Sequence, residues 1–146
     1  MATKTLDIVE LSARLRLAIA RTARRMRQEA GTALSPSLSS ALATIERHGP
    51  LTPSELADAE RVQRPTATRI VGRLEREGLV DRASDPTDGR VSLVSVTAEG
   101  RALLRRLRTR KDAYLARRLR DLDAGEIETL ERAAGILERL LEGERG

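Results

Sequence analysis

The stretch from residue 51 to residue 100 constrains the fold most, because helix starts, helix stops and β-rich runs follow one another closely there. Residues 52–55 (Thr-Pro-Ser-Glu) form a helix start, in which threonine caps, proline takes the first turn and glutamate completes a capping box. Residues 62–65 must then hold a turn, and the next helix is predicted over about residues 65–77. Gly78 suits the left-handed position that ends a helix. The predicted order is helix, turn, helix.

Two short strands are predicted after this pair of helices. Residues 80–83 and 91–96 are predicted as the strands, and the connection between them, residues 84–90, is rich in turn formers. Thr97 is predicted to cap a long helix that runs to about Leu122. The central segment is therefore expected to end in a two-stranded hairpin with a charged tip.

Helices are also predicted on both sides of this segment. The first covers residues 6–29, and a second runs from its cap at Ser35 to the stop at residues 49–50 (Gly-Pro). The last follows a capping box at residues 123–126. Apolar residues recur at helical spacing in the first helix (Ile8, Leu11, Leu15, Ala18) and in the last (Ile127, Leu130, Ala134, Leu137, Leu141). The fold class is predicted as mainly α with a small β-hairpin (α+β).

The composition excludes several kinds of function. There is no cysteine, so disulfides and zinc–thiolate sites are excluded, and His48 is the only histidine. No nucleophile–base set or metal-ligand cluster stands out, so we expect no enzyme activity, no cofactor and no metal. No apolar run approaches the roughly 18 residues of a membrane span, and the N-terminus lacks a signal-peptide pattern. A cytoplasmic protein is expected.

The charge distribution is informative because it is uneven. The net charge is +5, which fits a polyanionic partner. Residues 1–49 carry a net charge of +4 and residues 101–146 one of +3, whereas residues 50–100 carry seven basic and nine acidic groups, a net charge of −2. An argument for nucleic-acid binding by the central segment must therefore depend on where individual arginines lie.

The second helix of the central pair has polar and basic residues at its N-terminal end, where a helix in the major groove contacts base edges. Glutamine can pair with adenine, arginine with guanine, and threonine methyl groups can contact thymine. Arg73 lies one turn beyond Arg69 and is placed to hold the DNA backbone. The alternative is an ordinary solvated helix face. The candidate DNA-contacting residues are Gln63, Arg64, Pro65, Thr66, Thr68, Arg69 and Arg73.

The hairpin tip supplies two further candidates. Arg90 is placed to enter the minor groove, where negative potential attracts arginine, and Asp88 lies two residues away, where a salt bridge would orient it. The alternative is a plain solvent-exposed turn.

Together these motifs resemble the winged helix-turn-helix of the MarR family of bacterial regulators. The similarity is carried by residues 56–57 (Leu-Ala), 66–74 (TATRIVGRL), 77–80 (EGLV), 85–90 (DPTDGR) and 97–100 (TAEG). It implies one MarR-type domain, with a winged helix-turn-helix in residues 34–100 and helical dimerisation regions in residues 1–33 and 101–146. It also implies a homodimer, whose terminal helices interleave, on a pseudo-palindromic operator of double-stranded DNA.

The resemblance assigns roles to residues at matching positions. Arg64, Thr66, Thr68 and Arg69 correspond to the groove-facing part of the recognition helix, and Asp88 and Arg90 to the wing pair. This chain departs from the family pattern at three positions: Arg61 stands where many members have a turn glycine, Gln63 replaces a frequent serine cap, and Gly89 replaces a second wing arginine. The wing contacts are therefore expected to be weaker than is usual in the family.

The predicted function is a sequence-specific transcriptional regulator, acting as a ligand-responsive repressor. Relatives sense small molecules between their helical and winged parts, and an arginine of the first, second or fifth helix could hold an anion here. Tyr114 is the only aromatic residue, so an aromatic cage is excluded, and the effector stays unidentified. The alternatives are a non-specific architectural DNA-binding protein and a winged-helix module that binds other proteins.

Overall fold

Most helices of this protein begin where short polar side chains cap them. In the computed structural model, which describes residues 7–31 and 34–144, Ser35, Thr52, Thr97 and Asp123 each accept a hydrogen bond from a backbone N–H of the first turn that follows. At Thr52 and Asp123 a glutamate three residues on accepts in return from the backbone of the capping residue, which completes both predicted capping boxes. These hydrogen bonds join residues that are close in sequence, so they fix where the helices begin without any tertiary contact.

The described residues form six helices and a two-stranded antiparallel sheet, so the predicted fold class is confirmed. The first helix begins at Ile8, close to the first residue that the structure describes. The predicted start of this helix, Leu6, lies outside the described residues, as do residues 32 and 33. The elements are α1 (Ile8–Ala30), α2 (Pro36–His48), α3 (Pro53–Glu60), α4 (Arg64–Arg76), β1 (Val80–Ser84), β2 (Ser92–Val96), α5 (Ala98–Leu119) and α6 (Ala124–Gly143).

Most predicted boundaries are correct to within one or two residues, but the end of α5 was placed too late. The helix ends at Leu119 rather than about Leu122. The N–H of Asp121 bonds the carbonyl of Arg118, and that of Leu122 the carbonyl of Leu119, at 3.3 and 3.1 Å. These tighter bonds span three residues and form a turn, which no glycine or proline announces in the sequence.

The core lies in the winged part, between α2, α3, α4 and the sheet. Its fully buried side chains include Leu42, Ile45, Leu56, Leu74 and Val94. Leu51, just before α3, pairs with Val94 of β2 through two backbone hydrogen bonds of 3.1 and 2.8 Å. The helix-turn-helix and the wing are thus anchored on one hydrophobic cluster, which fixes their relative placement.

A tight junction joins the end of α4 to the start of α5. Gly78 has φ +74°, as predicted for the helix stop, and its carbonyl accepts from Thr97 Oγ1 at 2.7 Å. Gly100 is buried so close to the carbonyl of Leu79 that a side chain there would overlap it. The first turn of α5 is therefore held directly against the residues that follow the recognition helix.

The remaining helices, α1, α5 and α6, form the helical part, which is joined to the winged part through α5. α1 packs along α5, and Arg110 donates to the carbonyl of Ala30 at 3.0 Å, at the end of α1. Arg108 and Glu46 form an ion pair of 2.9 Å that ties α5 to α2. α6 buries none of its described residues. None of the described helices is long and apolar enough to cross a membrane.

Candidate nucleic-acid interface

The turn between α3 and α4 is tight and has an unusual backbone. Arg61 has φ +54°, a left-handed conformation that glycine adopts freely and that few residues with a Cβ adopt. The N–H of Val62 bonds the carbonyl of Ala57 at 3.0 Å, which closes the turn. Gln63 is the N-cap of α4, but within the described residues its side chain makes no capping hydrogen bond. Its amide is therefore available to a ligand.

The recognition helix α4 separates its apolar and polar residues cleanly. Ala67, Val71 and Leu74 are fully buried against the core, whereas Ile70, predicted to point inward, is only half-buried. The opposite face is formed by candidate DNA-contacting side chains. Of these, Thr66 is half-buried, and Gln63, Arg64, Pro65, Thr68, Arg69 and Arg73 are exposed.

Two arginines of this face differ in how firmly the protein holds them. Arg69 Nη2 lies 3.4 Å from Thr66 Oγ1, a long hydrogen bond that leaves the guanidinium available. Arg73 Nε donates to Glu77 Oε1 at 2.7 Å, so a phosphate would have to compete with this carboxylate. This pair was not predicted from the sequence, although the i,i+4 spacing of Arg73 and Glu77 is a signal that could have indicated it.

The wing tip is ordered by two aspartates that fold the loop onto itself. Asp85 Oδ1 accepts from the side chain and the backbone N–H of Thr87, at 2.7 and 2.8 Å. Asp88 Oδ1 accepts from Arg90 Nε at 3.2 Å and from the Arg90 backbone N–H at 3.1 Å. The hydrogen bond from the Arg90 side chain is the main reason that the pKa of Asp88 is lowered, and the Thr87 hydroxyl lowers the pKa of Asp85 in the same way.

The predicted salt bridge between Asp88 and Arg90 is thus present, and it presents Arg90 outward. The Arg90 side chain is 92% exposed while paired, whereas that of Asp88 is 41% exposed. A second pair was not predicted: Arg82 Nε of β1 lies 3.3 Å from Glu75 Oε2 of α4 and ties the wing to the recognition helix. These two residues come from different elements, so no local spacing signals their contact.

Chemically, this surface presents hydrogen-bond donors and positive charge rather than a reaction centre. Among the residues that the structure describes, no group of three or more histidine, aspartate or glutamate side chains is placed to hold a metal ion. A helix with a polar exposed face, preceded by a short helix and followed by a two-stranded hairpin, defines a winged helix-turn-helix, a class of DNA-binding module.

Comparison with known proteins assigns the chain to a family within this class. The MarR family pattern matches residues 34–92. An uncharacterized HTH-type transcriptional regulator of Mycobacterium bovis is 38% identical over 133 residues, covering 90% of this chain and 93% of that protein. The crystal structure of a candidate transcriptional regulator of Pseudomonas aeruginosa superposes with a TM-score of 0.84 at 35% identity, covering 94% of this chain and 97% of the other.

A further relative, the HTH-type transcriptional repressor NicR of Pseudomonas putida, is 36% identical over 95 residues, or 64% of this chain and 56% of that protein. This protein belongs to the MarR family of HTH-type transcriptional regulators, and it is a DNA-binding regulator rather than an enzyme. The resemblance inferred from the sequence motifs is therefore confirmed.

Proposed function

We propose that this protein is a sequence-specific repressor that binds a pseudo-palindromic operator as a homodimer and responds to a small-molecule effector in the cytoplasm. The observation that carries the proposal is the exposed polar face of α4, whose N-terminal residues stand clear of the core. Arg69 suits guanine, Gln63 suits adenine, and Thr68 offers a methyl group to thymine. The N-terminus of α4 also favours a phosphate.

Specificity distinguishes this proposal from a protein that coats DNA. Non-specific affinity comes mainly from neutralising phosphates, and residues 50–100 carry a net charge of −2. The test is fluorescence anisotropy with the promoter upstream of the protein's own gene and with a scrambled duplex, at several salt concentrations. We expect tighter binding to the promoter at each salt concentration. Equal affinities with a steep salt dependence would instead indicate an architectural protein.

Unpartnered apolar side chains support the homodimer. Leu130, Ile136 and Leu141 of α6 are 47%, 49% and 64% exposed, and Leu17 and Ile19 of α1 are 49% and 50% exposed. A soluble monomer rarely leaves so many large apolar residues uncovered on two of its helices. In the alternative, these helices pack on their own winged part, but α6 buries no described residue there.

The charges of the same helices complement one another. α6 carries five acidic and two basic residues, a net charge of −3, whereas α1 carries +4 and α5 carries +6. Between α1 and α5 lies a cleft of about 720 Å³ whose lining includes Arg21, Arg25 and Arg118. The acidic α6 of a second copy suits this basic surface better than another α1 or α5 does, which also favours an interleaved dimer.

The dimer is tested with Leu130→Glu. The leucine contributes nothing to the protomer's core, so the variant should fold, but it would place a charge in the interface at a cost of several kcal/mol. Light scattering after gel filtration should then give a monomer at micromolar concentration. Glu128→Ala, which alters an exposed neighbouring ion pair, is the matched control and should stay dimeric. A dimeric Leu130→Glu would contradict this interface.

The proposed effector site is a smaller cleft between the helical and winged parts. Its volume is about 290 Å³, and α1, α2 and α5 line it. Arg27, Arg108 and Lys111 supply positive charge, and Ser39 and Ser40 supply hydroxyl groups. This arrangement suits a small organic anion, in line with the expectation that arginines of the first or fifth helix hold one.

The sign of regulation is proposed from the similarity to a protein named as a repressor. A reporter gene behind the protein's own promoter tests it. Deleting the protein's gene should raise expression from an operator-containing promoter and leave an operator-scrambled promoter unchanged. Lower expression after deletion would identify an activator.

A further inference from the structure

A partly exposed corner between α2 and the end of α3 holds a hydrogen-bond cluster that the DNA contacts do not explain. Ser40 Oγ of α2 lies 3.0 Å from both carboxylate oxygens of Glu60, and Thr44 Oγ1 of the same helix lies 3.1 Å from Glu60 Oε1. Both hydroxyl groups are placed to donate to the carboxylate. We call these three side chains the Glu60 clamp. It joins α2 to the last residue of α3.

The position of Glu60 is unfavourable without these partners. The C-terminal end of a helix carries a partial negative charge and disfavours an acidic side chain in the last turn. Glu60 is the last residue of α3, and its side chain turns back to α2 rather than out to solvent. Two hydroxyl donors compensate for the repulsion, because hydrogen bonds to an ionised group are stronger than those between neutral groups.

The residue after Glu60 adopts the least favourable backbone conformation in the turn. Arg61 has φ +54°, and the chain must hold it there for α4 to leave the turn in its observed direction. A left-handed conformation at a residue other than glycine persists only where the surrounding structure enforces it. The Glu60 clamp fixes the residue immediately before it, and Val62 and Ile70, which follow, lie with Ser40 and Glu60 around the same small cleft.

We propose that Glu60 is a positioning residue for DNA recognition: through Ser40 and Thr44 it holds the turn at Arg61, and thereby sets the orientation of α4. Without the clamp, the turn samples conformations in which α4 cannot enter the groove. The apparent affinity for operator then falls with the fraction of competent protein. Binding through phosphates alone tolerates such variation. The inference rests on the proposed DNA recognition by α4.

Ser40 gives the clamp a second role in the fold. Ser40 also lines the cleft between α1, α2 and α5, whose lining includes Arg27, Arg108 and Lys111. A molecule in that cleft would lie beside one of the two donors to Glu60. The clamp therefore provides a physical route from the proposed effector cleft, through Ser40 and Glu60, to the turn of the DNA-binding motif.

The experiment compares Glu60→Ala with Glu46→Gln in the full-length protein. Glu46 is a matched control because it also ties α2 to another helix by a carboxylate, but through Arg108 of α5. The first readout is amide hydrogen exchange in the free protein, which needs no DNA. Exchange at Arg61 and Val62 should rise by at least about ten-fold in Glu60→Ala alone, because ten-fold corresponds to the net worth of one hydrogen bond and the variant loses those from both Ser40 and Thr44.

The outcomes separate a positioning role from a general effect on stability. The amide of Val94, which is bonded to Leu51 in the core, should exchange at its original rate. Faster exchange there as well as at the turn, or unchanged exchange at Arg61 and Val62, would overturn the proposal. If Glu60→Ala fails to fold, Ser40→Ala with Thr44→Val removes both donors and leaves the carboxylate, and it should give the same local effect.

The second readout is anisotropy with operator and with scrambled duplex. Glu60→Ala should lose about ten-fold in operator affinity for each half-site, or about a hundred-fold for the homodimer, and keep its scrambled-duplex affinity. Glu60→Gln, which retains an acceptor oxygen, should recover much of the loss. An equal loss on both duplexes, or none on operator, would overturn the inference. If wild type itself does not distinguish the duplexes, the proposed specificity fails, whereas the exchange result still decides whether the clamp holds the turn.

Discussion

Arg69 is the residue whose replacement separates base recognition from backbone contact most sharply. Its side chain is exposed, and its hydrogen bond to Thr66 Oγ1 is long, at 3.4 Å. Arg69→Ala should therefore change the free energy of unfolding by no more than about 0.5 kcal/mol, as is usual for surface positions. Any larger effect on DNA binding then comes from the interface itself.

The size of the effect follows from two-fold symmetry. A bidentate contact between arginine and guanine is worth about 1–3 kcal/mol of discrimination. A homodimer makes this contact twice, so Arg69→Ala should cost about 2–6 kcal/mol on operator. That loss corresponds to a factor of about thirty to about twenty thousand in affinity. On a scrambled duplex the loss should be far smaller, since no guanine is placed to meet the side chain.

The assay is anisotropy at several salt concentrations with operator, scrambled duplex and operators changed one base pair at a time. Arg73→Ala serves for contrast. Arg69→Ala should lose preference at one base pair in each half-site. Arg73→Ala should weaken all duplexes alike and lower the salt slope by about one for each lost phosphate contact. Uniform weakening by Arg69→Ala would show that it contacts phosphate, and unchanged affinity would place it outside the interface.

Two further predictions concern the fold and the wing. In urea unfolding, Gly100→Ala should destabilise the protein by about 1–3 kcal/mol, because the added methyl group would meet the Leu79 carbonyl. The control Gly72→Ala should be neutral or stabilising, because its methyl group would face only the flexible end of Arg76. In a carboxyl NMR titration, the pKa of Asp88 should lie below its usual value of 3.8. The ion pair with Arg90 should therefore persist above pH 3.8 and be lost as the pH falls through the lowered pKa. A pKa at or above 3.8 would contradict this prediction.

Local signals made much of this fold predictable from the sequence. Capping residues such as Thr52 and Asp123 act within three positions of themselves, so their patterns are complete in the sequence. The wing pair of Asp88 and Arg90 is also local, and the predicted salt bridge is present. The buried face of α4 followed from helical periodicity, with Ile70 less buried than expected because it lies at the edge of that face.

Contacts between distant residues were not predictable in this way. Glu60 is separated by 20 and 16 positions from its donors Ser40 and Thr44, and Arg110 by 80 from the carbonyl of Ala30. Periodicity also does not say what an apolar stripe packs against. The stripe of α6 has the same spacing whether it covers its own winged part or a second copy, and only the packed structure shows it uncovered within the protomer.

Hydroxyl-radical footprinting on the promoter upstream of the protein's own gene tests the central claim most directly, since it detects sequence specificity and two-fold symmetry together. A homodimer with one recognition helix per half-site should protect two short regions whose centres lie about 34–36 Å apart, with related sequences in inverted orientation. Arg69→Ala should abolish both protections together at a concentration that saturates wild type. Protection spread evenly along the duplex, or confined to a single half-site, would contradict the account.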